Sequence, residues 1–391
     1  MIRSYMANLR PPGGYLKEDT QRRKEWLEKK TGFHIDETAP DDPEVLKGII
    51  ENHIGYISIP MAIAGPLKIE GTYAKGEFYI PLCTLEGTLS KSMTRGFYLT
   101  YSSDGIKTKH IKQELSRSPL FIFEDFDKAN IFYQWIDQNY EEIKKSAEST
   151  TNYGKLLRID KYPIQNSIIL DFVYYTAEAA GQNITTIATH EACLFIKKKF
   201  SNQYDFQYQY YIESNFSGDK NPAYRTLLHG RGHHVIASAL IKGKLLRRIL
   251  RMSANDAVVS WAQSSPASQM AGVLGKNMHV SNALASLYLA TGQDVACVAE
   301  NSVGIVSYEL RNDDDLLMFL AMPSISVGTV GGGTRLNQQR KNLEMLRCTG
   351  KDSSKKLAEI VCASALALEL SLAGAIRSDE FAQSHAHYGR K

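Results

Sequence analysis

Cysteine is scarce: five residues among 391, scattered at Cys83, Cys193, Cys297, Cys348 and Cys362, with no CxxC pair. That spacing excludes a zinc ribbon or a disulfide framework and fits a reducing cytoplasm, where the protein is expected to reside. The N-terminus lacks the apolar core of a secretory signal. No stretch reads as a membrane span. The nearest, Ile360 to Ile376, is short, carries Glu369 and is rich in small residues, so it is expected to be a buried helix. Net charge is only +4, too weak to point to nucleic acid, although it slightly favours anionic ligands. There is no internal repeat, no low-complexity tract, no GxGxxG motif and no P-loop. What remains is an ordinary globular composition, long enough for two or three domains and a large core.

The most informative stretch is Met322 to Thr334, MPSISVGTVGGGT. A β-branched run (Ile325, Val327, Val330) enters a cluster of glycines, Gly328 and Gly331 to Gly333, and a segment of helix formers follows from Leu336 to Leu346. Glycines tolerate positive φ and let backbone amides approach a ligand. Amides in such a loop, ahead of a helix, suit a phosphate or pyrophosphate. Glycine clusters also serve plain turns, and both readings stand at this point.

Around that loop the chain organises itself. Residues 17–31 are charged helix formers ended by Gly32. Short apolar pieces broken by Gly55, Pro60, Gly65 and Pro66 run from Glu51 to Leu67, and strand-like Glu77 to Leu82 leads to a helical stretch from Thr88 to Thr100. From about 109 to 213, β-like runs (Leu120 to Phe123, Ser167 to Tyr175, Tyr204 to Ile212) flank helical stretches (Asp127 to Glu148, Thr185 to Phe200). That rhythm predicts an inserted small α/β domain. Helices are predicted at Leu240 to Met252, at Ser281 to Leu289, and after Asp352 and Ser353, which are good N-caps.

Four polar residues invite scrutiny. Glu86 follows an apolar strand, Lys220 lies in the turn-rich Ser217-Gly218-Asp219-Lys220-Asn221-Pro222, Asp294 follows a long apolar helix, and His385 stands on a polar tail. Each has an ordinary explanation taken alone: a helix-end carboxylate, a solvated lysine, a partly buried acid needing a partner, a loose terminus. In order and context, however, the blocks Glu51 to Tyr56, Ala64-Gly65-Pro66-Leu67, Glu86-Gly87, Asp219-Lys220, Gly230-Arg231-Gly232, Gly292-Gln293-Asp294, the glycine loop, Glu369-Leu370-Ser371-Leu372 and Ser384-His385 resemble 3-hydroxy-3-methylglutaryl-coenzyme A (HMG-CoA) reductases, from about Arg22 to Arg390.

The resemblance implies an α+β fold: an N-terminal helical region (1–50), a large domain around a central helix (51–108 and 214–373), a ferredoxin-like cofactor domain inserted at 109–213, and a mobile C-terminal flap (374–391). It implies an NADPH-dependent reduction, with NADH the alternative donor, of an acyl thioester through a thiohemiacetal and an aldehyde to an alcohol. Lys220 would stabilise the oxyanion, Glu86 would supply a proton, Asp294 would hold both in a network, and His385 would protonate the leaving thiolate. Cofactor contacts are expected from Gly328, Thr329, Val330, Gly331, Gly332, Gly333 and Arg390. They are also expected from Glu178, Gly181 and Asn183 of Glu178-Ala179-Ala180-Gly181-Gln182-Asn183, where the family's Asp-Ala-Met-Gly-Met-Asn loses both methionines. The Glu51 block resembles a dimerisation segment, and the family shares its active site between subunits, so a homodimer or higher homo-oligomer is expected. No metal, nucleic acid or membrane is implied.

The departures lie on the substrate side. Set on the family pattern without gaps, three expected basic residues fall on Thr108, Asn221 and Gln263. In the stretch that helps bind coenzyme A, Arg95 is kept while Thr94 and Tyr98 replace an asparagine and an arginine. Ser214 is a further expected substrate contact. A partly buried carboxylate without cationic partners would be disfavoured by roughly several kcal/mol. The sequence therefore predicts a thioester reductase whose acyl group is not HMG, carried by coenzyme A or a carrier protein. Lys107 or Lys109 would restore a cation if the local register shifts, giving an authentic HMG-CoA reductase. A catalytically silent binding homologue is the reading from another class.

Overall fold

The computed structural model describes residues 11–13, 17–34, 43–52 and 56–378. Helix α1 (Lys17–Thr31) and a 3-10 turn (Pro43–Leu46) precede the main body. Strands β1 (Met61–Glu70) and β2 (Lys75–Cys83) form an antiparallel pair, followed by α2 (Leu89–Tyr101). The short pieces predicted between Glu51 and Leu67 are partly one continuous strand. Pro66 is accommodated because the β1–β2 register shifts between Ala64 and Leu67, where no ladder donor is needed.

Strand β3 (Ile106–Arg117) is the hinge of the architecture. Its first part pairs with the later strand Arg231–Ile241, and Leu115 to Arg117 pair with the strand Ser167–Tyr175. The chain then forms β4 (Leu120–Phe123), helices α3 (Phe126–Gln138) and α4 (Tyr140–Glu148), β5 (Lys155–Ile164), β6 (Ser167–Tyr175), α5 (Gln182–Ser201) and β7 (Tyr208–Tyr211). Across the sheet the order is β7-β4-β6-β5, all antiparallel. Its apolar core, built on Phe121, Phe132, Phe172 and Phe200, is separate from the main one. The single helix predicted from Asp127 to Glu148 is broken at Asn139, whose amide side chain donates to the Trp135 carbonyl at 2.8 Å.

The main body resumes with α6 (Tyr224–Leu228), β8 (Arg231–Ile241), α7 (Gly243–Leu250), α8 (Ala254–Met270), α9 (Val280–Thr291), α10 (Val298–Asn301), β9 (Ile305–Arg311), β10 (Asp315–Ile325), α11 (Asn337–Met345) and α12 (Ser353–Arg377). The predicted helix from Leu240 divides: Leu240 and Ile241 end β8, and the helix begins at Gly243. A continuous apolar run does not fix its own period. Helix α12 is the central helix. It is long and apolar enough to cross a membrane by length and composition, but 83% of its apolar window is buried within the protein, under β3, β8, β10, α2 and α9. Glu369, the charge within that run, is satisfied by the backbone N–H groups of Met278 and His279 and by the His279 imidazole.

Between β3 and β8 lies a pair of imidazoles, half-buried His110 and buried His233, with His110 Nε2 and His233 Nδ1 2.9 Å apart. Burial pushes His110 down to about 4 and His233 to about 3, from an ordinary value near 6.5. Both are neutral at pH 7, and the unfolded chain takes up the protons first as the solution is acidified. Stability is therefore full above about pH 6.5 and lost as pH falls towards 4. In thermal melts, the midpoint of wild type is expected to drop more steeply over this window than that of His110→Gln. Parallel slopes for the two proteins would refute the assignment.

Candidate active site

The glycine loop is held between two strips of backbone. On one side, Gln293 makes a reciprocal pair with Gly328. Gly328 N–H donates to Gln293 Oε1 and Gln293 Nε2 donates to the Gly328 carbonyl, both at 2.9 Å. Gly292 has φ 72°, and a Cβ there would lie 2.4 Å from the Gly333 carbonyl oxygen, so no other residue fits either way. On the other side, Thr329 N–H donates to the Glu178 carbonyl at 2.8 Å, and Ala179 bridges Val330. Gly331 and Gly332 differ from the rest: φ is 87° and 52°, and nothing lies within 4 Å of where a Cβ would stand. With Val330 61% exposed, the tip of the loop presents open backbone to solvent.

Asp294, next to Gln293, is positioned by that clamp. Its Oδ1 accepts from Ala296 N–H at 3.0 Å, capping a 3-10 turn (Val295–Cys297), and its Oδ2 lies 2.9 Å from Lys220 Nζ. That hydrogen bond holds the Lys220 ammonium above the ordinary lysine value. Both side chains remain about half exposed, so the pair faces an open surface.

Beneath Lys220 is a buried polar network. Lys220 has φ 58°, and its N–H donates to Glu300 Oε2 at 2.6 Å. The same oxygen accepts from Arg231 Nε at 3.0 Å, and neither Arg231 nor Glu300 is exposed at all. Ser326, two residues before Gly328, donates its hydroxyl to the other Glu300 oxygen. Arg231 also donates to the Ser116 carbonyl at 2.9 Å and to Gln182 Oε1 at 2.7 Å, with Asp219 Oδ1 at 3.2 Å. Glu300 thus joins the Lys220 loop, β8 and the entry to the glycine loop. Sequence reasoning does not single it out, because it lies in a short helix with no motif around it. Arg231 and Gln293 lie within blocks the resemblance already marks.

The other expected site residues fall as follows. Glu86 is exposed at the β2–α2 turn, its N–H bound to Thr84 Oγ1, and among the described residues no hydrogen bond joins its carboxylate to Lys220 or Asp294. His385 and Arg390 lie outside the described residues. Glu178, an expected cofactor contact, is engaged within the fold. Its carboxylate accepts from Asp352 N–H at 2.7 Å, Ser354 N–H at 2.8 Å and the Ser353 hydroxyl at 3.1 Å, and so caps α12. The predicted caps Asp352 and Ser353 are thereby replaced by a carboxylate distant in sequence. Asp352 adopts φ 62° and caps nothing with its side chain. Gly181 ends the strip beside the loop at φ 95°, and Asn183 is exposed on the first turn of α5.

Thr108 does not line an open pocket. It is 6% exposed on β3, paired with Ala237, which lies about 20 Å along β8 from Arg231. Strand alternation turns it inward and turns Lys107 and Lys109 outward. Gln263 is exposed on α8. Asn221 is exposed beside Lys220 and donates to the Asp219 carbonyl at 2.8 Å. The Ser214 hydroxyl donates to the Ser118 carbonyl at 2.7 Å. Arg95 is tied to Ser371 through Nε at 2.9 Å and Nη2 at 2.8 Å, and with Thr94, Tyr98 and Lys24 it lines a cleft of about 780 Å³.

Glu300→Ala would remove the fully buried carboxylate beside Arg231 and leave that guanidinium only its 3.2 Å contact with Asp219. A loss of about 3–5 kcal/mol in denaturant unfolding is expected. A loss below about 1 kcal/mol, the range of surface pairs, would show that the buried pair is not structural.

Residues 19–390 match the hydroxymethylglutaryl-coenzyme A reductase family model. The chain is 38% identical over 376 residues to the 3-hydroxy-3-methylglutaryl-coenzyme A reductase of Methanocaldococcus jannaschii, covering 95% of this chain and 93% of that one. It is 37% identical to the enzyme of Pyrococcus horikoshii, covering 95% and 91%. In fold it is similar to the class II 3-hydroxy-3-methylglutaryl-CoA reductase from Streptococcus pneumoniae, a structure bound to NADPH. The TM-score is 0.69 at 15% identity, covering 96% of this chain and 95% of that one. Family model, relatives and fold agree along nearly the whole length, and the chain belongs to the HMG-CoA reductase family.

Proposed function

We propose that this protein is an NADPH-dependent HMG-CoA reductase, taking the thioester through a thiohemiacetal and an aldehyde to the alcohol at the cost of two NADPH and two protons, with release of the thiol. The observation that carries the reading is the Lys220–Asp294 pair, set beside a glycine loop whose base, at Gly328, is clamped to the same segment. Relatives at 37–38% identity that bear the reductase name support it.

The loop tip suits the cofactor's phosphates. Gly331 and Gly332 expose backbone with no side chain in the way, and Thr329 and Val330 precede them in the loop. NADPH, when bound, supplies the two hydrides. Lys220 places a permanent cation against the carbonyl oxygen as negative charge develops there. Asp294 fixes that ammonium in place and keeps it protonated. Glu86 delivers protons to the reduced oxygen, and His385 protonates the departing thiolate. The thiol carrier enters along the cleft beside Arg95.

The prediction of a non-HMG acyl group loses much of its support. Thr108 is enclosed in the sheet and Gln263 stands on an outer helix surface, so their neutrality says little about a pocket. Asn221 alone favours that reading, since a neutral side chain stands next to Lys220.

Beside Glu86, Leu85 is 84% exposed, and Thr84 N–H binds the carbonyl of Pro60, which follows a segment whose Ile57 is 91% exposed. An outward carboxylate on such a patch fits a site completed by a second copy of the chain, and the assembly is proposed to be at least a dimer.

Loss of NADPH absorbance in the presence of HMG-CoA tests the function. Sustained turnover supports it. Turnover only with other acyl thioesters favours the reading from Asn221, and no turnover with any thioester leaves a silent homologue. Lys220→Ala is expected to lower kcat by about a hundredfold or more. In Asp294→Asn the alkaline limb of the pH–rate profile should move to lower pH, because the anionic acceptor that raises Lys220 is replaced by a neutral one. An unmoved limb would remove Asp294 from that role. Sizing in solution is expected to give a dimer or larger, and a stable, active monomer would contradict the shared site.

A further inference from the structure

We infer that Gln182 is a positioning residue for Lys220, acting through Arg231 and Glu300 on one side and Asp219 on the other. This deepens the reading of Lys220 as the catalytic cation and rests on it. Gln182 stands where the family pattern carries the second methionine of its first cofactor motif, and it is the first residue of α5, directly after Gly181. Its amide uses both ends. Oε1 accepts from Arg231 Nη2 at 2.7 Å and from Arg117 Nη2 at 3.4 Å, and Nε2 donates to Asp219 Oδ1 at 3.2 Å. Asp219 precedes Lys220 in the chain. Arg231 passes the constraint to Glu300, whose Oε2 holds the Lys220 N–H.

A thioether offers no donor and only a weak acceptor, so methionine at this position would leave only the direct 3.2 Å contact between Arg231 and Asp219. The loop carrying Lys220 has reason to need such support. Its lysine is held at φ 58°, a conformation that non-glycine residues adopt at a cost, and the surrounding contacts must overdetermine it. Arg117 completes the enclosure, with Nη1 2.8 Å from Glu213 Oε2 and Nη2 3.2 Å from Asp219 Oδ2. The N-terminus of α5, the Asp219–Lys220 loop and the buried ion pair therefore meet on one neutral side chain that both accepts and donates.

The test compares the full-length protein with Gln182→Met and Gln182→Glu. Met fits the volume but bridges nothing, whereas Glu keeps the acceptor for Arg231 and loses the donor to Asp219. Acetylation of Lys220 by limiting acetic anhydride, read by peptide mass spectrometry, is expected to rise severalfold in Gln182→Met and by less in Gln182→Glu, as the ammonium leaves Asp294. With HMG-CoA and NADPH, kcat of Gln182→Met falls about tenfold with KM near the wild-type value. Unchanged acetylation and unchanged kcat per folded molecule, with only a lower melting midpoint, would overturn the inference and leave Gln182 a packing residue. Failure of the functional reading looks different: wild type then oxidises no NADPH with HMG-CoA, while the acetylation rates still report where Lys220 is held.

Discussion

One buried carboxylate, Glu300, organises the centre of this molecule. Its two oxygens take the Lys220 N–H, Arg231 Nε and the Ser326 hydroxyl, so three segments far apart in sequence converge on it. Taking two charges out of water is expensive, and such a pair persists only where nearly every donor and lone pair finds a partner. Arg231 meets that demand through Ser116, Gln182 and Asp219. The strand β3 that provides the Ser116 carbonyl is also the strand passing from one sheet to the other, so the ion pair sits at the seam between the two apolar cores.

From that seam the surface site follows. The clamp between Gln293 and Gly328 fixes the glycine loop to the segment that bears Asp294, and Asp294 reaches Lys220. A change in the loop is thus a change in the neighbourhood of the lysine. The open backbone at Gly331 and Gly332 and the half-exposed ion pair lie on one continuous piece of structure, which is the arrangement a hydride-transfer site would use. Glu86 stands apart, on an apolar outer surface, and its place in the proposed chemistry depends on a second copy of the chain.

The glycine loop, the Lys220 and Asp294 motifs, α1 and the central apolar helix are all legible in the sequence. Each depends on local features: glycine spacing, a run of helix formers, an apolar stretch too long for a strand. Less legible are the positions whose meaning is set by distant partners. Glu178, read from its motif as a ligand-facing acid, caps α12, because a buried helix N-terminus needs acceptors and one is supplied from 174 residues away in sequence. Thr108 looks like a vacated substrate position and instead faces the interior, because strand alternation turns it inward.

The sequence by itself determined the family, the reaction class and the residue types available for catalysis, since those reside in short motifs whose order survives without coordinates. Only the tertiary structure decided which of them meet. It set Lys220 against Asp294, left Glu86 facing outward, and gave Glu300 and Gln182 their places under the lysine. Burial decides this, because a buried polar group must find its partner wherever the fold supplies one, and one-dimensional spacing carries no record of that distance.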